Sequence, residues 1–412
     1  VAAEQDRTIM NNHPATVPAD SEPWDALIIG AGPAGSLAAV LLARAGQRVL
    51  VVERHKFPRP KVCGCCLNQR AQQLLRRADL LAGLQTLQPV STQQMNLHYD
   101  QQTLPIAMPG GLAISRRAMD SWLAGEAVAA GATFLDECSA EVLPESCDAD
   151  SAATAALPEC RRVQILTARG SSVAAARVVL VCDGLGHPSL AQLPGFSSRP
   201  QTGARIGLGA VLSAAESADW CSPGEILMAA DTGGYCGAVR TEDGSVNLAA
   251  AVDSAAIQAA GGPRQCLQRL FATAGVRVPE AMGSVQVRGT VPLTRRSTRL
   301  TGHRLLLLGD ATGYVEPFTG EGMAWAMTAA TLAAPLARSG ITNGWSTALQ
   351  QQYERQLRDA VVREQTVCRM LSGILSRPWL LRLTFAAARM VPVAAGALVR
   401  RVNRVPNLVE RS

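Results

Sequence analysis

Asp25-Ala26-Leu27-Ile28-Ile29 runs straight into Gly30-Ala31-Gly32-Pro33-Ala34-Gly35, and an Ala- and Leu-rich stretch follows to Ala45. The first five residues read as a buried strand, the Ala/Leu stretch as a helix over 33–45, and the glycines as the turn between them. Gly46 stops the helix, because glycine enters the left-handed region without steric penalty. Residues 48–53, with Val-Leu-Val-Val at their centre, give a second strand that closes a β-α-β unit. In that context each glycine has a mechanical task. Gly30 makes the tight turn, Gly32 lets the backbone approach a pyrophosphate, and Gly35 permits close helix–strand packing. Pro33 and Ala34 open the helix, whose free N–H groups and positive dipole end favour phosphate. Glu53 closes the second strand, where a carboxylate accepts ribose hydroxyls, with Arg54 beside it.

Working outward, residues 177–182 form another buried strand, closed by Asp183-Gly184. Residues 303–308 form a last apolar strand, followed by Gly309-Asp310-Ala311-Thr312-Gly313 and then Pro317-Phe318-Thr319-Gly320-Glu321-Gly322-Met323. An Asp at a strand end can hold a polyol such as ribityl. A Gly-rich helix start can set N–H groups against a flavin pyrimidine edge. These features turn the reading from a nicotinamide dinucleotide to FAD. Between the two motifs, residues 206–252 have strand-like patterning with Gly-Gly and Asp-Gly turns, which predicts an antiparallel sheet. A helix is expected over 116–131, and an acidic, Ala/Ser-rich hairpin tip or excursion over 143–156.

From residue 25 to about 336 the chain resembles the flavoprotein group that contains p-hydroxybenzoate-hydroxylase-like monooxygenases, geranylgeranyl reductases and flavin-dependent halogenases. The resemblance rests on the Gly30 to Gly35 fingerprint with Glu53, on Asp183-Gly184, and on Gly309-Asp310 with its continuation to Gly322. It implies an α/β fold: a discontinuous Rossmann-like FAD-binding domain, an inserted antiparallel β-sheet substrate domain and a helical C-terminal region. It implies that Asp310 binds ribityl, that Asp183 sits near the pyrophosphate, and that Arg116, at an Arg-x-x-hydrophobic-Asp helix start, approaches the phosphates. Pro317, Gly320, Gly322 and Met323 would lie along the flavin. The expected division is a mobile leader at 1–22, FAD-binding segments at 23–90, 113–200 and 291–345, substrate segments at 91–112 and 201–290, and helices over 346–412. A second dinucleotide fingerprint is missing, so NAD(P)H is expected as a transient reductant.

Two lysines occur among 39 basic residues, and both lie in or beside Phe57-Pro58-Arg59-Pro60-Lys61-Val62-Cys63-Gly64. This loop looks like the reductase branch of the group, where a Lys-x-Cys-Gly segment passes beside the flavin, so Lys61 and Cys63 are expected at the cofactor. Cys63, Cys65 and Cys66 read as small thiols packed there, since neither disulfide-reductase nor metal-ligand spacing is met. The five histidines read as structural or solvated. The candidates for a catalytic role are Lys61, Cys63, Tyr235 and Glu321, with Arg240 as a possible substrate-facing partner of Tyr235.

The reaction is less constrained. A halogenase would be expected to have a Lys well after the first β-α-β unit and a Trp-x-Trp-x-Ile-Pro segment, and this chain has neither. Tyr235-Cys236-Gly237-Ala238-Val239-Arg240 stands where archaeal-type geranylgeranyl reductases have Tyr-x-Trp-x-Phe-Pro, which leans away from isoprenoid reduction. The sequence therefore favours NAD(P)H-fed hydroxylation of an aromatic or polyketide-like hydrophobic compound. C=C reduction of the geranylgeranyl-reductase type is the alternative, and a non-catalytic FAD redox sensor is a third reading from another class. The chain carries a formal charge of +6, yet residues 361–412 hold nine Arg against two Glu. A basic tail on a near-neutral body argues against nucleic acid and leaves room for a peripheral membrane contact. Arg382, Arg389, Arg400 and Arg404 share one helical stripe, and Pro378 and Pro392 break any continuous helix. A cytoplasmic location, membrane contact aside, is the corresponding expectation.

Overall fold

The computed structural model describes residues 22–145, 159–316, 318, 320–375 and 377–390. The expected leader, the tip of the acidic excursion, Pro317, Pro392, Arg400 and Arg404 lie outside the described residues. Parallel strands Leu305–Leu307, Gly170–Val181, Trp24–Ile29, Val49–Val52 and Thr133–Leu135 lie side by side in that order. Alternation along each strand fills both faces. Ala26, Ile28, Val49, Val51, Val178 and Leu180 face one core with the helix Pro33–Arg44, whereas Leu27, Ile29, Leu50, Val52, Val179 and Val181 face a second core. A parallel sheet covered on both sides requires such continuous apolar runs. The strand ending at Val181 runs back to Gly170, longer than the expected 177–182, because its first half pairs with Arg161–Thr167, which in turn pairs with Ser139–Val142.

The second large sheet orders strands Arg288–Pro292, Ile206–Leu212, Val246–Val252, Gly234–Arg240, Glu225–Asp231, Val90–Tyr99, Gln102–Ala113 and Cys66–Leu67. It is antiparallel except where Glu225–Asp231 meets Val90–Tyr99 in parallel. The substrate segments expected at 91–112 and 201–290 therefore join in one sheet. Arg288–Pro292 crosses the expected boundary at 290. Ser198–Pro200, Arg295–Ser297 and Gly313–Tyr314 make a small sheet of their own. The chain is not helical directly after Thr312. A short strand intervenes, and the helix begins at Gly322 and runs to Thr342. Helices Thr347–Leu357, Arg363–Leu375 and Pro378–Met390 follow, the last starting at Pro378, where proline's fixed φ suits a first turn. Tyr353 donates to the Leu307 carbonyl at 2.7 Å and ties this helical region to the first sheet.

Candidate active site

The C-terminal ends of the parallel strands open on one cavity of about 420 Å³, walled on its far side by the second sheet. Its lining contains Gly30, Gly32, Pro33, Ala34, Glu53, Arg54, Lys61, Cys63, Arg116, Asp183, Gly184, Tyr235, Gly309, Asp310, Gly320, Gly322 and Met323, residues the sequence singled out. Ligands of open α/β sheets bind at this edge.

The fingerprint glycines divide into two kinds. A methyl group on Gly35 would lie 1.9 Å from the Gly30 carbonyl oxygen, and one on Gly30 would lie 2.4 Å from the Cys182 carbonyl oxygen. Both glycines are required by packing. A methyl on Gly32 would meet only the guanidinium groups of Arg59 and Arg116, each at 3.8 Å. Gly32 thus borders a space lined by two cations at a helix N-terminus that no side chain caps. That is the chemistry of a diphosphate site.

Acidic partners hold those arginines. Arg116 donates to both oxygens of Asp120 at 2.8 Å, and Arg59 lies 3.2 Å from the same carboxylate and 3.5 Å from Glu53. Glu53 accepts from the backbone N–H groups of Ala31 and His55, each at 3.0 Å, which fixes it beside the fingerprint turn. The sequence singled out Arg116 and Glu53 as site residues; Asp120 entered only as the Asp of the Arg116 helix-start motif, and Arg59 was given no role. The signal for Asp120 was its position four residues after Arg116 on one helix. Arg59 had no comparable sign, because its partners come from a strand end and a distant helix.

Asp183 accepts from the Ser189 N–H at 2.9 Å, while its other oxygen is buried with no hydrogen-bond partner. Burial raises the Asp183 carboxyl, with the Ser189 hydrogen bonds opposing it. Burial likewise raises Asp310, against the pull of Lys61 and Arg116. Burial lowers Lys61, with Asp310 opposing. Of the two lysines, Lys61 enters the cavity and Lys56 is exposed. The Cys loop is pinned to the second sheet, since Asn247 donates to the Cys63 carbonyl at 2.8 Å. A hydrogen bond from the Cys65 thiol, with help from the Arg116 guanidinium, pulls the Cys63 thiol down to about 6 against burial. Burial pushes Cys66 up to about 12.

At the other end the lining is Met95, Met108, Ile226, Met228, Val239, Leu293, Tyr235 and Phe318. Tyr235 meets Phe318 edge to face at 4.9 Å. Burial, reinforced by the Glu316 carboxylate, holds the Tyr235 phenol well above its ordinary range. Glu316 lines the cavity and accepts from buried Arg205 at 2.6 Å. Among the candidates, Glu321 does not line the cavity. It is buried, its side chain does not cap the helix at Gly322, and the Cys368 thiol approaches it at 3.9 Å. Arg240 likewise does not line the cavity, and its guanidinium donates to the carbonyls of Ser217, Trp220 and Cys221. His55 lines the cavity, whereas His98, His187 and His303 do not.

This donor set fits FAD. Gly32, Arg59 and Arg116 would take the diphosphate, Glu53 the adenosine ribose and Asp310 the ribityl chain. The uncapped helix start at Gly322, with Gly320 and Met323, would take the flavin ring. The FAD binding domain family matches residues 24–366 of the chain. A menaquinone reductase of Mycolicibacterium smegmatis is 26% identical over 87% of this chain and 86% of its own length. Digeranylgeranylglycerophospholipid reductase 1 of Methanopyrus kandleri is 25% identical over 84% of this chain and 90% of its own. Among solved structures, a flavin-dependent brominase superposes with a TM-score of 0.73 at 15% identity, covering 93% of this chain and 94% of its own. A geranylgeranyl bacteriochlorophyll reductase-like protein of Thermoplasma acidophilum superposes at 0.69 with 19% identity, covering 86% of this chain and 88% of its own. At those identities the structural likeness speaks for the fold. Cavity, donor set and family match together make this chain a member of the FAD binding domain family, an FAD-dependent oxidoreductase.

Proposed function

We propose that the protein reduces a carbon–carbon double bond of a hydrophobic, isoprenoid-type substrate. Tyr235 is the observation that carries this reading. It lines the apolar end of the cavity with Met95, Ile226, Met228 and Phe318, where its phenol hydroxyl is a proton source. Saturation of an alkene needs a proton at one carbon as well as a hydride at the other, and bound FAD, once reduced, supplies the hydride. Tyr235 gives the proton to the second carbon. Met95, Ile226, Met228 and Phe318 hold the chain and exclude water. The menaquinone and digeranylgeranylglycerophospholipid reductases support the reading, since both names describe reductases of isoprenoid compounds. They shift the weight that the sequence placed on hydroxylation.

The test is turnover of a geranylgeranyl lipid and of a polyprenyl quinone with chemically reduced protein under anaerobic conditions. The expected product gains two hydrogens across a double bond of the isoprenoid chain, read after any quinol is reoxidised to quinone, without oxygen being present during turnover. Tyr235→Phe should keep full flavin content and lose turnover by about a hundredfold. A product that forms only in air and carries a new oxygen atom would return the assignment to hydroxylation.

A further inference from the structure

The helix Pro378–Met390 has two apolar faces. Leu381 and Phe385 are buried in the cluster that contains Met95, Ile226, Met228 and Tyr235, so this helix closes over the apolar end of the cavity. Phe385 packs on Tyr99 with ring centroids 5.5 Å apart. The outward face should be polar in a helix that merely caps a protein. Here it is not. At about 100° per residue, Trp379, Leu383, Ala386 and Met390 fall on one stripe, and all four are exposed, Trp379 by 62%, Leu383 by 60% and Met390 by 84%. Met370, on the preceding helix Arg363–Leu375, is 66% exposed.

Charge completes the pattern. Arg382 and Arg389 run along one edge of the stripe, and Arg377, immediately before the helix, is exposed. From Gln365 through Met390 the sequence contains four Arg and neither Asp nor Glu. Asp100 borders the groove beside Arg382 and Arg389, and Arg389 donates to Gln102. No helix among the described residues is long and apolar enough to cross a membrane. An apolar stripe with Trp and Leu, flanked by arginine on a 13-residue helix, matches a surface that lies in a lipid interface.

We propose that the outward face of Pro378–Met390 docks on an anionic lipid bilayer, which places the helix covering the substrate end of the cavity against the membrane. Two features favour lipid over a second copy of the chain or another protein. The charge in this segment has one sign, and the helix joins the exposed stripe directly to the apolar cavity wall. The proposal does not depend on which reaction the flavin performs, because docking is read without turnover.

The test uses the full chain with FAD bound and vesicles of phosphatidylcholine with and without phosphatidylglycerol. Sedimentation should show binding to the phosphatidylglycerol vesicles that weakens as salt rises. Trp379→Ser with Leu383→Ser should reduce binding at least tenfold at unchanged flavin content. Arg382→Gln and Arg377→Gln should each reduce it roughly fivefold. Trp379 is the exposed member of the chain's six tryptophans, so brominated lipid should quench part of the wild-type fluorescence whatever the variants do. Absence of binding to either vesicle, or binding untouched by the double substitution, would overturn the proposal. So would unquenched Trp379 in pelleted protein. Self-association that the double substitution abolishes, without vesicle binding, would assign the face to a second copy.

Discussion

The two ends of the cavity are built by different means. The cofactor end is polar and made of strand ends: Glu53, Asp183 and Asp310 follow parallel strands, and Arg59 and Arg116 converge on Asp120. Glu53, Arg59, Arg116 and Asp120 are buried, Asp183 and Asp310 are half-buried, and the two arginines are matched by Asp120 and Glu53. The substrate end is apolar and comes from within strands: Met95, Ile226, Met228 and Tyr235 belong to three adjacent strands of the second sheet. At the cofactor end, function depends on where a backbone stops. At the substrate end it depends on which side chains share a face. Changes at the first end should therefore act through cofactor or folding, and changes at the second through substrate.

The largest expected effect breaks the cofactor end outright. Gly35→Ala puts a methyl group 1.9 Å from a carbonyl oxygen, so stability should fall by about 3 kcal/mol or more. Gly32→Ala, with guanidinium tips 3.8 Å away and nothing nearer, should fold normally and purify with little flavin. Thermal melts of the two apo-proteins, set beside their flavin absorbance, check the contrast. Equal loss of stability would mean that the glycines do not divide as described.

Asp310→Ala should weaken FAD by roughly tenfold to a hundredfold, the scale of a lost hydrogen bond to a charged group. Flavin fluorescence titration reads it, and full flavin content would refute the placement of the ribityl chain. Met228→Ala should leave FAD affinity unchanged and raise KM about tenfold, since a few buried methylenes discriminate on that scale. Weaker FAD binding in this variant would blur the division between the ends.

The smallest expected effect concerns Cys63. Its thiolate persists above a pH of about 6, so alkylation of apo-protein should already be fast at neutral pH. Cys65→Ala removes the leading hydrogen-bond donor and moves the Cys63 thiol up. Alkylation at pH 7 should then slow by roughly tenfold. An unchanged rate would assign the low value to Arg116 alone.

The same division explains what the sequence revealed. Gly30 to Gly35, Glu53, Asp183 and Asp310 are local signals, because a strand, a turn and a helix start occupy neighbouring positions in the chain. Arg116 was found through its helix start. Arg59 escaped because its partners, Glu53 and Asp120, are defined by tertiary packing. Glu316 escaped because only the fold pairs it with Arg205. Glu321 was a candidate through its adjacency to Gly320 and Gly322; its side chain is approached by Cys368 and does not line the cavity. The apolar pocket was legible as strands, not as a lining. The parallel pairing of Glu225–Asp231 with Val90–Tyr99 brings Met95 and Met228 together, and register of that kind has no local mark.

The central claim, reduction of a double bond by flavin without oxygen, is tested most directly by a single anaerobic turnover. Protein with chemically reduced FAD is mixed with a geranylgeranyl lipid, and flavin absorbance is followed with oxygen excluded. Return of the oxidised spectrum at a rate that depends on substrate, and much more slowly in Tyr235→Phe, is the predicted result. Flavin that stays reduced with every isoprenoid lipid and quinone until oxygen is admitted would contradict it.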